Sequence, residues 1–142
     1  MKILDVNLLL YATNEDFPQH RRAVSFVEAV FSSDEAVGLA PAVLVAFLRL
    51  ATRHGLFRFP LSIDEACEIV QQWVAQPNVT FVHPTERHVL LMQSLLAPLG
   101  IGGNLVSDAH LAALAIEHNA EVCSADRDFL RFPGVRVNNP LL

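Results

Sequence analysis

Lysine is almost absent from this chain of 142 residues: Lys2 is the only one, beside nine arginines. With fifteen acidic residues the net charge is −5, which excludes a broad basic footprint of the kind that neutralises many phosphates at once. Cysteine is scarce too. Cys67 and Cys123 both fall inside apolar stretches and read as buried core thiols, so no disulfide framework is expected. No apolar run is long enough to cross a bilayer. The longest, Val37 to Leu48, is interrupted by Gly38 and Pro41. No basic lead and apolar stretch mark an export signal, so the expected setting is cytoplasmic, with no membrane contact. Repeats, low-complexity tracts and linkers are missing as well.

What is present is apolar: 52% of the residues are hydrophobic and 18% charged, the composition of a folded chain with one core. The expectation is a single domain over residues 1–142. Lys2-Ile3-Leu4 opens a strand, Val6 to Ala12 a short helix, and residues 19–31 a helix with Ala23, Phe26, Val27 and Val30 on one face. Ala36 to Leu39 reads as the second strand and Val43 to Ala51 as an apolar helix. Ser62-Ile63-Asp64-Glu65 is a capping box, opening a helix whose apolar face carries Trp73. Val79 to Val82 is a strand, Thr85 to Ala97 a helix, and Gly100 to Asn104 a flexible loop ahead of a helix opened by Asp108. Val122-Cys123 and Val135 to Val137 close the series. Strands alternating with helices imply a mostly parallel sheet covered on both faces, an α/β chain.

Acids recur where strands give way to helices: Asp5 after the first strand, Asp108 at the sixth helix, Asp126 and Asp128 after Glu121-Val122-Cys123-Ser124. Each has a local explanation. Asp5 suits a helix cap, Asp108 a first-turn acid behind a Ser107 cap, and Asp126 and Asp128 a turn. Together they suggest more, because strand ends of one parallel sheet share a rim where sites form. Carboxylates gathered there repel one another unless a hard divalent cation joins them. Asp5 also interrupts an apolar stretch, where an unpaired carboxylate costs several kcal/mol.

Three segments carry a resemblance: Met1-Lys-Ile-Leu-Asp5-Val-Asn7, Asn104-Leu-Val-Ser-Asp108-Ala-His-Leu-Ala-Ala-Leu-Ala, and Ser124-Ala-Asp126-Arg-Asp128-Phe129. In order and spacing they resemble the PIN domain, and more narrowly the VapC-type ribonuclease toxins of bacterial toxin–antitoxin pairs, over essentially the whole chain. The resemblance implies a three-layer α/β/α domain, cleavage of RNA dependent on Mg²⁺ with Mn²⁺ substituting, a homodimer, and a small VapB-like antitoxin whose tail enters the acidic cleft. It carries catalytic and metal-binding roles onto Asp5, Asp108 and Asp126, an auxiliary metal-binding role onto Asp128, and support of the first acid onto Asn7. Where two ions are held, they lie about 3.5–4 Å apart and share the work of activating water and stabilising the leaving oxygen.

One position departs from the pattern. The family has a glutamate on the helix after the second strand, and here Val45-Ala46-Phe47-Leu48-Arg49 puts Ala46 in its place. A weak second metal site is the expected consequence, with Asp128 compensating. The alternative is a degenerate PIN domain that binds RNA or a protein without cleaving. Arg49, one turn from Ala46, is a candidate contact for an RNA phosphate or an antitoxin carboxylate. His110, two residues after Asp108, is expected to turn away from it as a packing or surface residue. In Arg53-His54-Gly55-Leu56-Phe57-Arg58-Phe59, packing is a better account of the aromatics than base stacking. An aspartyl-phosphate enzyme is disfavoured: Asn7 stands where a second acid is wanted, and Lys2 lies upstream of the first strand's end.

Overall fold

The central strand is β1 (Lys2–Leu4), three residues of which Ile3 and Leu4 are fully buried. A computed structural model describes all 142 residues and places β1 between β2 (Val37–Leu39) and β4 (Glu121–Cys123), both parallel to it. Strand β3 (Val79–Phe81) extends the sheet beyond β2, and β5 (Arg136–Asn138) beyond β4. The order is β3-β2-β1-β4-β5 and every pairing is parallel, so the sheet is wholly rather than mostly parallel. The chain builds outward from β1 on one side, then crosses back to build β4 and β5 on the other. The gap between β1 and β4 is therefore the topological switch point, where open α/β sheets form their binding crevice at the carboxyl ends of the strands.

Six helices cover the sheet: α1 (Val6–Thr13), α2 (His20–Phe31), α3 (Pro41–Thr52), α4 (Ile63–Val74), α5 (His88–Leu96) and α6 (Leu105–Glu117). They pack as two groups, α1 to α4 and α5 with α6, giving the α/β/α layering that an all-parallel sheet requires. No helix is long and apolar enough to cross a membrane. The core includes Ile3, Leu4, Leu8, Leu9, Phe47, Val122 and Phe129, all fully buried. Trp73 packs edge-on against Phe47, its ring centroid 4.7 Å away. Phe57 is buried and meets Phe17, whereas Phe59 is exposed with Arg58 against its ring. Packing into the core thus accounts for one of the segment's two phenylalanines. Cys123 is buried and Cys67 only partly so, and neither forms a disulfide.

Local chemistry sets the helix ends. Ser62 and Glu65 form the reciprocal capping box at the start of α4. Helix α6 begins at Leu105, three residues before Asp108, so neither Asp108 nor Ser107 caps it. The turn through Gly103, at φ +57°, brings the Leu105 N–H onto the Gly102 carbonyl and starts the helix early. Asp108 still lies in the first turn. At the other end Asn119 takes φ +49°. The Ala120 N–H bonds the Ala115 carbonyl while the Asn119 N–H bonds that of Ile116, a Schellman closure that delivers the chain into β4. Helix α6 is buried on most of its circumference, through Leu105, Ala109, Leu111, Ala112, Ala113, Leu114 and Ala115, as a central helix must be.

Candidate active site

Asp5 follows β1 directly and Ser124 follows β4, so the two residues face each other across the switch point. Asp5 Oδ1 accepts from the Val6 N–H at 2.7 Å and caps α1. Its Oδ2 accepts from the Asn7 side-chain amide at 3.0 Å and from the Ser124 hydroxyl at 2.6 Å. Burial nevertheless pushes the Asp5 carboxyl above its ordinary range, against the pull of the Ser124 and Val6 bonds, and the charge of Asp126 adds to the rise.

Asp126 caps the 3-10 turn Arg127–Arg131, its Oδ1 accepting from the Asp128 N–H at 2.8 Å. Its own N–H donates to Ser124 Oγ at 2.9 Å. The local explanations of Asp5 and Asp126 are therefore correct as far as they go. The same residues also converge. Carboxylate oxygens of Asp108, Asp126 and Asp128 lie within 4.8 Å of one another. Asp108 is pushed up to about 7, first by burial and then by the charges of Asp126, Asp5 and Asp128. Asp128 has only a long contact with Arg131, 3.7 Å between exposed groups, which leaves the cluster negative.

This donor set fits a divalent metal ion: hard oxygen ligands from two elements, helix α6 and the 3-10 turn, mutually repelling and offset only by the long Arg131 contact. A cation would relieve the repulsion that holds the Asp108 proton on. Asp5 stands slightly apart from the tight trio, anchored by Ser124 and Asn7, but lines the same pocket as Asp108.

Ala46 also lines this pocket, so the position where the resemblance expects a glutamate faces the acids. Arg49 is exposed, is absent from the pocket wall and has no ion-pair partner in the protein. Lys2 is bound by Glu35 and Glu121 at 3.1 and 3.3 Å, at the opposite end of β1 from Asp5, where it cannot serve a phosphorylated aspartate.

Two features escaped the sequence reading. Ser124, fully buried, is a hub: it donates to Asp5 and accepts from both Asn7 and Asp126. Asn7 Oδ1 in turn accepts from the Ala125 N–H at 3.3 Å. A serine directly after a buried strand and two residues before an acid was the available signal. The second is His110, which packs edge-on against His88 and lines the pocket that Asp5 and Asp108 also line. Its Nδ1 lies 2.7 Å from His88 Nε2, and His88 Nδ1 lies 2.7 Å from Glu117 Oε2. His88 and Glu117 expose 8% and 2% of their side chains. Burial alone would raise the Glu117 carboxyl, but hydrogen bonds from Thr85 and His88 bring it below its ordinary range, so it is ionised. The seven-residue spacing of His110 and Glu117, two helical turns, was the sequence signal.

Comparison with known proteins identifies the family and the fold. The PIN domain model matches residues 2–135. Ribonuclease VapC37 of Mycobacterium tuberculosis is 46% identical over 140 residues, covering 99% of this chain and 97% of the relative. Ribonuclease VapC33 of the same species is 40% identical over 141 residues, covering 99% of each. Among solved structures, VapBC2 from Rickettsia felis bound to a promoter DNA fragment superposes with a TM-score of 0.69 at 17% identity, covering 97% of each chain. DNA-bound VapBC from Salmonella typhimurium gives 0.66 at 16% identity, covering 98% and 97%.

Proposed function

The chain belongs to the PIN-domain family, and from that premise we propose that it is a metal-dependent endoribonuclease, the toxin of a toxin–antitoxin pair. The observation that carries the chemistry is the trio Asp108, Asp126 and Asp128, with Asp5 beside it. The toxin role is supported by the curated relatives, which are named VapC ribonucleases.

Asp108, Asp126 and Asp128 would hold a Mg²⁺ or Mn²⁺ ion, with Asp5 contributing directly or through water. When bound, such an ion supplies Lewis acidity and neutralises phosphate charge. The residues of the chain do the rest. Ser124 and Asn7 fix the position of Asp5, and the Ser124 hydrogen bond opposes the rise that burial imposes on its carboxyl. Asp126 and Asp128 are held in register by the 3-10 turn. One of these carboxylates would orient the attacking water and take up its proton as the new P–O bond forms and the P–O bond to the leaving ribose oxygen breaks. The substrate class is RNA. The proposed partners are a small VapB-like antitoxin and a second copy of the chain; exposed Val89 and Leu90 on α5 offer apolar surface for a protein contact. Ala46 favours a second reading, a PIN domain that binds without cleaving.

RNA digestion with Mn²⁺, with and without chelator, separates the two. Asp5→Asn and Asp108→Asn should each abolish metal-dependent cleavage while the circular dichroism of the fold survives. Cleavage at the wild-type rate in both variants rejects the assignment.

A further inference from the structure

The pocket beside the acids is larger than metal binding needs. Its volume is about 450 Å³, and its walls are mostly apolar, through Val6, Val43, Met92 and Leu111. Away from Asp5 and Asp108, its most substantial polar side chain is His110. We propose that this pocket seats one nucleobase of the bound RNA, and that His110 reads the hydrogen-bonding edge of that base. The proposal rests on the ribonuclease reading and deepens it, naming where base preference arises.

Three observations support it. First, the pocket is continuous with the acids, since Asp5 and Asp108 belong to its lining. A phosphodiester held at the acids leaves its neighbouring nucleoside at the pocket mouth. Second, a base has two apolar faces and one polar rim, and single-stranded RNA is read by taking such unstacked bases into fitted sites. Apolar walls with one polar group match that shape. Third, His110 is built in. A carboxylate only accepts hydrogen bonds, so His88 Nδ1 donates to Glu117. His88 Nε2 then meets His110 Nδ1. In the neutral pair His110 supplies the shared proton, which leaves its Nε2 as an acceptor. That nitrogen has no partner in the protein and is not among the buried unpaired atoms, so it keeps access to solvent on a residue that lines the pocket. In that neutral state the acceptor sits at a fixed place and distinguishes bases by where each carries its N–H. His110 is the residue that touches substrate here, and Glu117 and His88 are positioning residues.

The test has two arms. Labelled short single-stranded RNAs, identical except at one nucleotide, are titrated in chelator so that nothing is cut. In parallel, cleavage sites in a randomised RNA are mapped with Mn²⁺. The wild-type protein should prefer particular bases at one position flanking the cut. His110→Ala should reduce that preference about tenfold, the worth of one good hydrogen bond, and leave the other positions unchanged. His110→Gln, which keeps an acceptor near the Nε2 position, should restore part of it, and Glu117→Gln, remote from the pocket, should weaken it. A base profile that is the same in His110→Ala and wild type overturns the proposal, including the case where that variant loses only affinity for a copurifying antitoxin. Absence of cleavage by the wild type overturns the ribonuclease reading instead, and the chelator arm still decides the pocket.

Discussion

Ser124 donates its hydroxyl proton to Asp5 Oδ2 across 2.6 Å, joining residues 119 positions apart in the chain at the carboxyl ends of two adjacent strands. The same oxygen accepts from the Asn7 amide and the Asp126 N–H, so its donor and both its lone pairs are used. One side chain thereby fixes Asp5, Asn7 and Asp126 with respect to each other.

Replacing it should be costly in two ways. Ser124→Ala removes three partly buried hydrogen bonds, and unfolding in denaturant should show a loss of about 1–3 kcal/mol. It also removes a bond that favours the ionised form of Asp5, so the carboxyl rises further. The pH–rate profile for RNA cleavage should move to higher pH, with a lower rate at neutrality. An unshifted profile contradicts the role given to this serine.

Ala46→Glu should add a third carboxylate to the pocket that already contains Asp5 and Asp108. The Mn²⁺ concentration for half-maximal cleavage should fall. Without metal the extra negative charge should lower the thermal midpoint. Metal dependence identical to wild type would mean that position 46 does not reach the ions.

Asp108 gives a pH dependence of defined sign. Its carboxyl sits at about 7 in the fold against 3.8 as the ordinary value. Between those values the folded state holds a proton that the unfolded state has lost, so this group's contribution to stability is present below about pH 4 and lost as pH rises towards 7. Asp5 is shifted in the same direction. Thermal midpoints in chelator should therefore rise for Asp108→Asn relative to wild type as pH increases from 5 to 8. Mn²⁺ should reverse the order by stabilising the wild type through mass action. A wild-type-minus-variant difference that does not change with pH would contradict the strained cluster.

Gly38 tests the sheet under the site. A Cβ there would sit 2.9 Å from Ile3 Cγ1 and 3.0 Å from Val82 Cγ1, inside a strand that is wholly buried. Gly38→Ala should destabilise the protein by about 1–3 kcal/mol through overpacking. A neutral result in denaturant unfolding would mean that β1 and β2 have room to separate.

The sequence by itself determined the elements and their alternation. The forces that set them are local: the Ser62–Glu65 capping box, the helical spacing of Ala23, Phe26, Val27 and Val30, and short apolar strands bounded by turns all act within a few residues. It also marked the strand ends at which acids stand, because an aspartate in or beside an apolar strand has few inexpensive explanations. The start of α6 was misjudged because Asp108 and Ser107 look like helix openers, whereas the left-handed turn at Gly103 already closes the first hydrogen bond. Only the tertiary structure decided that β4 lies beside β1, and with it that Ser124 meets Asp5. Only packing of α5 on α6 set His88 against His110 at the pocket wall, and only the placement of α3 left Arg49 off that wall. Those outcomes depend on strand order and helix orientation, which arise from contacts between residues far apart in the chain.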